Sequence, residues 1–364
     1  MSTTTSTPGP SPKGLYLNAQ GKIEIITTPD SVYHSGNPAL VPIKVSFSAI
    51  QPADLKHYHM GFHSHITGYD FAGTNLLEET SVMGFINPGH SRPLFAGAHQ
   101  QFLLAEKSNL WARPADMSEE TAAAIPIALM TAADAVVNCL GFAFPKAGVV
   151  SGTDGTGKAV LIWGGGSSVG WAAVQLAREA GIPHILVVAS GKNHSYLKEI
   201  GATHLFDYRS GGQVVVQQVK DTIETLGVEL SHIFDAVGSG LGIFEPEDVR
   251  RVAYGESSPS LGKLCLSGKT TDHKLACALP VLQDSDWQFA LFSRKWGDGE
   301  TKFRGWWERQ ENVFRWFVEN HKSAWRPLPK VRVVQKATEA VQALEESYGG
   351  KLSLEKVLVR HPML

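Results

Sequence analysis

Gly164, Gly165, Gly166, Ser167, Ser168, Val169 and Gly170 follow one another in the chain. Glycines at this density let a bound group approach the backbone closely, and the serines add hydroxyl donors. Placed at the start of a helix, such a run faces unpaired N–H groups and a partial positive charge. That is the chemistry a pyrophosphate needs. The glycines fall as GxGxxxG, one residue longer than the GxGxxG fingerprint, and alone they also fit a structural turn. A second set lies at Ser190, Lys192 and Asn193, where a hydroxyl, an ammonium and an amide cluster without an acid.

The elements around these residues decide between the two readings. Ala159 to Trp163 is a short apolar run, as expected of a strand buried on both faces. Ala172, Ala173, Leu176 and Ala177 then recur at helical spacing, and Gly181 stops the helix. HILVVAS (184–190) predicts a second buried strand, KNHSYLKEIGA a helix and THLFDY a third strand. Strand, glycine turn and helix in this order make a βαβαβ half of a doubly wound α/β fold. The second strand of that half normally ends in an acid when the ligand is NAD. Here it ends Ala189-Ser190-Gly191-Lys192-Asn193. With no acid on that strand, Ser190 and Lys192 suit a 2′-phosphate, and the cofactor expected is NADPH. The plainer reading of Lys192 is a solvated surface lysine. Ile233 to Gly238 reads as a further strand with a glycine turn, and GKLCLSG (262–268) as another. Val237, Gly238 and Leu266 are then expected at carboxyl ends of strands, on the nicotinamide side.

The 364 residues suffice for two domains. Hydrophobic residues make up 43% and the net charge is −2, so the basic stripe of a nucleic-acid binder is not expected. Cys139, Cys265 and Cys277 have no metal spacing and fit a reducing compartment, so a cytoplasmic location is expected. There is no apolar run of about 18 residues, so no membrane span is expected. Residues 1–12 read as a disordered tail. Before the glycine run the chain is β-rich: a strand pair over 14–29 turning at Asn18–Gly21, a strand over 40–50, and another over 95–104. Asp116 to Leu140 carries a loop and a helix opened by Ser118 with two glutamates. His57, His59, His63 and His65 sit in a loop. On a strand they would share one face, but no Cys, Asp or Glu stands among them and a metal is not expected. The aromatic-rich stretch from Trp287 to Trp325 reads as core, or as an apolar wall for an acyl chain. At the end come a strand, a helix and a strand from Pro329.

FSAIQPADLK (47–56), GYDFAG (68–73), IPIALMTAADAV (125–136), VLIWGGGSSVGWAAVQLA (160–177), LKEIGATHLFDYR (197–209) and FDAVGS (234–239) together resemble the medium-chain dehydrogenase/reductase superfamily. Within it the chain is similar to the zinc-free quinone-reductase-like branch, above all to fungal trans-acting polyketide enoyl reductases and toxin-cluster reductases. The resemblance implies a Rossmann sheet plus a β-rich GroES-like catalytic domain, to which the C-terminal strands return. The expected division is 13–133 with 322–364 for the catalytic domain and 134–321 for the cofactor domain. Zinc-binding members carry Cys and His-Glu where this chain has Gln51, Tyr69 and Asp70, so no metal is implied. A segment with a Gly-Asp-Arg-Val turn in relatives is replaced here by TNLLEETSVM (74–83).

The resemblance also implies roles. Tyr208 matches a position that contacts the adenosine 2′-phosphate. Lys56 matches a lysine lining the cofactor cleft, and Thr131 a threonine near the nicotinamide. Tyr69 stands at the zinc-histidine position and is a candidate proton donor. Each has a plainer alternative: an ion pair for Lys56, a bond to a helix carbonyl for Thr131, core packing for Tyr69. The implied activity is NADPH-dependent, metal-free hydride transfer to the β-carbon of an α,β-unsaturated acyl thioester or carbonyl, free or carrier-bound. The partner would be a polyketide synthase and the protein a monomer or homodimer. A quinone or enal reductase, or a cofactor-binding protein with a scaffold or cyclisation role, is the alternative.

Overall fold

The computed structural model describes residues 11–29, 31–89, 92–242, 254–268, 272–294 and 304–364. Residues 1–10 of the expected tail, and Trp296 and Phe303 of the aromatic stretch, lie outside the described residues. The chain forms two compact units. The first contains the chain up to Pro126 with Val331–Lys351 and Lys356–Leu364; the second contains Ile127–Lys330 and Leu352–Glu355. The seams thus fall at 126/127 and 330/331, against the expected 133/134 and 321/322.

The first unit is mostly β. Strands β1 (Lys13–Leu17) and β2 (Ile23–Thr27) pair antiparallel through the Asn18–Gly21 turn, and β4 (His65–Ile66) adds to β1. A larger sheet has β3 (Leu40–Ala49) at its centre, paired with β5 (Asp70–Asn75) and β7 (Phe102–Glu106). β6 (Thr80–Phe85) and β8 (Leu110–Ala112) extend it on one side. Val41, Ile43, Val45, Phe71, Val82 and Leu103 close its core. Alternation along β3 puts Val41, Ile43 and Val45 on one face. The short segment after Gly73 is a hairpin: Asn75 pairs with Thr80, and Leu76 to Glu79 make the turn. Helix α1 (Ala53–Lys56) runs straight into a 3₁₀ turn over His57–Met60, so the histidines are not strung along a strand. The strand expected over 95–104 begins later, at Phe102, after a 3₁₀ turn over Leu94–Ala96.

Ser118 caps α2 (Glu119–Ala124) by accepting from Thr121 N–H. Pro126 lacks an N–H, and the expected single helix restarts there as α3 (Pro126–Ala133), followed by a π turn over Asp134–Cys139.

The second unit is built on a parallel sheet of β9 (Ala159–Trp163), β10 (His184–Ala189), β11 (His204–Asp207), β12 (Leu230–Asp235), β13 (Lys274–Cys277) and β14 (Trp287–Phe289). Its order is β11-β10-β9-β12-β13-β14, which in chain order is 3-2-1-4-5-6. Helices α4 (Ser168–Glu179), α5 (His194–Glu199) and α6 (Gly212–Leu226) fill the crossovers. Every residue of β9 is buried, as its continuous apolar run requires. The strand expected over 262–268 is instead the end of α7 (Ser258–Leu264) and a turn. Ser257 caps that helix, and Leu261 and Cys265 recur at helical spacing on its buried side. The strand position falls to β13. Helix α8 (Trp306–Glu319) buries Val313, Phe314 and Phe317; Phe317 stacks on Trp325, which meets Trp171 edge-on. These aromatics are core. Helix α9 (Ala337–Tyr348) lies between β15 (Lys330–Val334) and β16 (Glu355–Arg360), and β16 pairs with β3.

Candidate functional site

Gly164 leaves β9 with φ +90, a conformation natural to glycine. A methyl on it would strike the Val237 side chain, and one on Gly170 would strike the Gly164 carbonyl. A Cβ on Gly166 would meet Asn193 Nδ2 and Ser353 Oγ, each at 2.8 Å. The turn is therefore closed by the side chains of Val237, Val187, Asn193 and Ser353, and at Gly170 by its own backbone. Its N–H groups at Gly164 and Gly165 donate to Val188 O, at 2.9 and 3.1 Å. Ser167 caps α4: its Oγ accepts from Gly170 N–H at 2.9 Å and donates to Gly164 O at 2.9 Å. Ser168 and Val169 occupy the first turn, where N–H groups have no intrahelical acceptor. This cradle fits a pyrophosphate, since the helix start supplies donors and the glycines leave no Cβ over it.

The turn after β12 lies against it. Asp235 is fully buried; its Oδ1 accepts from Val237 and Gly238 N–H, both at 3.1 Å, and its Oδ2 from Ser258 Oγ at 2.8 Å. Val237 is thereby held over Gly164. Leu266 is not at this edge. Ser267 beside it exchanges bonds with Leu230, the first residue of β12, so Leu266 sits at the amino end of the sheet. The cause is the helix at 258–264. Leu279, just beyond the carboxyl end of β13, packs within 2.8 Å of where a Gly238 Cβ would be. It takes the place expected of Leu266.

At the end of β10, Ser190 and Asn193 are buried and Lys192 is exposed. Tyr208 is exposed just past β11. Two neighbours were not singled out from the sequence. Asp207 lies beside Gly191, with its Oδ2 2.6 Å from a built Gly191 Cβ, so a carboxylate does reach this edge, from β11 rather than β10. Arg209 pairs with it through Nε at 3.0 Å and Nη2 at 2.5 Å, and these bonds hold Asp207 below the usual carboxylate range. The other is Ser353: Asn193 Nδ2 donates to Ser353 Oγ at 2.7 Å, and Leu354 N–H donates to Gly166 O at 2.7 Å. A far-C-terminal segment thus crosses the glycine turn. Chain distance hid it from motif reading; Arg209 was visible only as the residue after Tyr208.

The first unit holds a different constellation. Tyr69 is buried, and its hydroxyl lies 2.6 Å from His57 Nδ1. Burial raises the phenol above its ordinary range, with the nearby Arg92 charge working the other way. Burial brings His57 down to about 4, so its ring is neutral near pH 7. Gln51 Nε2 donates to Asp70 Oδ2. Lys356 is buried in the same region; desolvation lowers it to about 8, against the pull of Asp70 and Asp54. Lys56 ends α1, half-buried, and Thr131 is buried in α3 of the second unit. The four histidines part ways: His57 to Tyr69, His59 to Tyr348 at 2.9 Å, His63 to Ser64 at 3.0 Å, His65 into β4. Among the described residues no group of three or more His, Cys, Asp or Glu is arranged to hold a metal ion. Nor is any described helix long and apolar enough to cross a membrane.

No family model matches the chain. A trans-enoyl reductase of Aspergillus terreus is 31% identical over 214 residues, covering 53% of this chain and 67% of the relative. The chain belongs to the fungal trans-enoyl reductases. One from Aspergillus japonicus is 29% identical over 55% of this chain and 59% of its own length, and one from Beauveria bassiana 26% over 73% and 81%. The match thus spans about three-fifths of the length of some of these relatives. Among solved structures, a putative zinc-dependent alcohol dehydrogenase of Rhizobium etli superposes with TM-score 0.67 at 17% identity over 96% of this chain and 98% of its own. The CurK enoyl reductase gives 0.65 at 16% over 96% and 99%. A Thermus thermophilus quinone oxidoreductase, solved also with NADPH, gives 0.62 at 19% over 96% and 99%. These likenesses establish the medium-chain dehydrogenase/reductase fold for this trans-enoyl reductase relative, a Rossmann sheet with a GroES-like β unit.

Proposed function

We propose that the chain is an NADPH-dependent enoyl reductase acting on an α,β-unsaturated acyl thioester, free or carried by a polyketide synthase. The observation that carries this reading is the glycine turn, shut to any side chain at Gly164 and Gly170 and opening onto the start of α4. When bound, the nicotinamide supplies the hydride. The protein's part is to bind and to orient. Ser168 and Val169 N–H groups face the pyrophosphate, and Ser190, Lys192, Asn193 and Tyr208 receive the adenosine end. Arg209 adds a second cation there and neutralises Asp207. Val237 and Gly238, fixed by Asp235, stand at the nicotinamide side.

For the acyl group, Lys56 of the first unit is the proposed donor to the carbonyl oxygen, and Thr131 of the second is proposed to act near the nicotinamide. A donor to that oxygen stabilises the negative charge that builds on it as the β-carbon is reduced. Tyr69 holds a proton on a phenol whose partner is the neutral His57 ring. No metal is needed in this scheme, since hydrogen bonds suffice to activate a conjugated carbonyl.

Titration of the purified chain with NADPH and NADH tests the cofactor, and absorbance loss of NADPH with a crotonyl thioester tests the reaction. Tighter binding of NADPH and steady consumption are expected. NADH binding as tightly, or no consumption with the thioester, would overturn the reading. Turnover of benzoquinone in place of the thioester would mark a small-molecule quinone reductase instead.

A further inference from the structure

Arg92 is buried in the first unit, 8% exposed. Its Nη2 donates to Ile66 O at 2.5 Å. Its Nε and Nη1 are buried and have no hydrogen-bond partner among the described residues. The guanidinium carbon lies 4.9 Å from the centre of the Tyr69 ring. The Tyr69 hydroxyl also interacts with the guanidinium, and His57 and His65 beside it are neutral near pH 7: burial lowers both to about 4, and the Arg92 charge helps. Among the described residues the carboxylate that acts on it is Asp54, which is already committed. Asp54 accepts from Gln51 N–H at 2.8 Å and Gly68 N–H at 2.9 Å, and it faces His99 at 3.4 Å.

An interior cation without an anion costs several kcal/mol, and two unmade donor bonds add to that cost. Arginine presents paired N–H groups that match a planar carboxylate. We propose that Arg92 anchors a binding site for the carboxylate of a small organic acid. A monoanion fits better than a phosphate. One guanidinium balances one charge, and the desolvation cost of a dianion rises steeply with its charge. The neutral imidazoles of His57 and His65 set no second cation beside it, so a single negative charge suffices. This inference goes beyond the reductase reading and does not depend on hydride transfer.

The test uses the full chain without cofactor, titrated calorimetrically with crotonate, with crotonamide as its neutral counterpart, and with inorganic phosphate. Crotonate is expected to bind at least about tenfold more tightly than crotonamide, the worth of a charge-assisted pair of bonds. Arg92→Met is expected to lose crotonate binding by a similar factor while the unliganded melting temperature stays the same or rises, because an unpaired buried charge is gone. Arg92→Lys keeps the charge without the fork, and is expected to bind crotonate several-fold more weakly at unchanged melting temperature. It decides the matter if Arg92→Met does not fold. Crotonamide binding as tightly as crotonate, crotonate binding undiminished in either variant, or phosphate binding where crotonate does not would each overturn the proposal. NADPH affinity is expected to hold in Arg92→Lys, so failure of this site reads separately from failure of the reductase reading.

Discussion

The glycine turn in the second unit and the polar cluster in the first set out their polar groups by opposite means. At Gly164–Gly170 the donors are backbone, and the residues matter for what they lack: any Cβ at Gly164 or Gly170 collides. Around Tyr69 the groups are side chains: His57, Arg92, Asp54, Asp70 and Lys356, all titratable and at least half-buried. A backbone site is fixed once the strand, turn and helix form. A side-chain site depends on how residues distant in sequence pack and on which of them carry charge. The two should therefore fail differently: the first through sterics and without regard to pH, the second through charge.

The largest effect is expected at the turn. Gly164→Val forces a β-branched residue to φ +90 and pushes its side chain into Val237. Strain and overpacking together should cost about 4 kcal/mol in urea unfolding, with NADPH binding abolished. Wild-type stability in that variant would mean that the turn is not closed as described. In the other region, Lys356→Met takes away the buried cation that acts on Asp70, whose carboxylate accepts from Gln51 Nε2. Loss of about 3 kcal/mol is expected, the usual cost of orphaning a buried charge. Arg92→Met, by contrast, removes a charge with no carboxylate of its own. Equal losses at Lys356 and Arg92 would erase that distinction.

This contrast also governs how much was legible in the sequence. β9, its turn and α4 could be read from consecutive residues, because local apolar pattern and glycine spacing carry the whole signal. At 262–268 a short apolar run with one polar break suits either a strand or a helix end, and Ser257 and Pro259 upstream are the residues that mark a helix start. Ser353 over Gly166 could not be found, since 187 residues of chain separate them and no local rule joins them. In the first unit Gln51, Tyr69 and Asp70 were located by resemblance alone. Their partners His57, Arg92 and Lys356 come from a 3₁₀ turn, a loop and the last strand, which only tertiary packing brings together.

Acid should expose the side-chain region first. Burial holds His57 and His65 near 4, below the ordinary 6.5. Between those values the unfolded chain binds more protons than the folded one, so stability rises with pH across that window and is lost as pH falls from 6.5 toward 4. His57, facing Tyr69, Arg92 and Asp54, should contribute up to about 3 kcal/mol of that loss. His57→Gln should flatten the dependence of melting temperature on pH between 4 and 6.5 by about one proton's worth. A slope identical to wild type would show that His57 is charged in the folded state.

The smallest effect is expected at the exposed rim of the backbone site. Lys192 stands in solvent beyond β10, so its attraction for a 2′-phosphate is screened, and Lys192→Ala should raise the NADPH dissociation constant only about fivefold. Arg209→Ala should do more, about tenfold or above, because it removes a cation and leaves Asp207 bare beside Gly191. Neither change should weaken NADH, which has no phosphate there, and a bare Asp207 should favour its free ribose hydroxyl. The two cofactors titrated against both variants separate charge from shape at this edge. Equal losses for NADPH and NADH would mean that Lys192 and Arg209 support the fold of the β10 and β11 ends rather than read the phosphate.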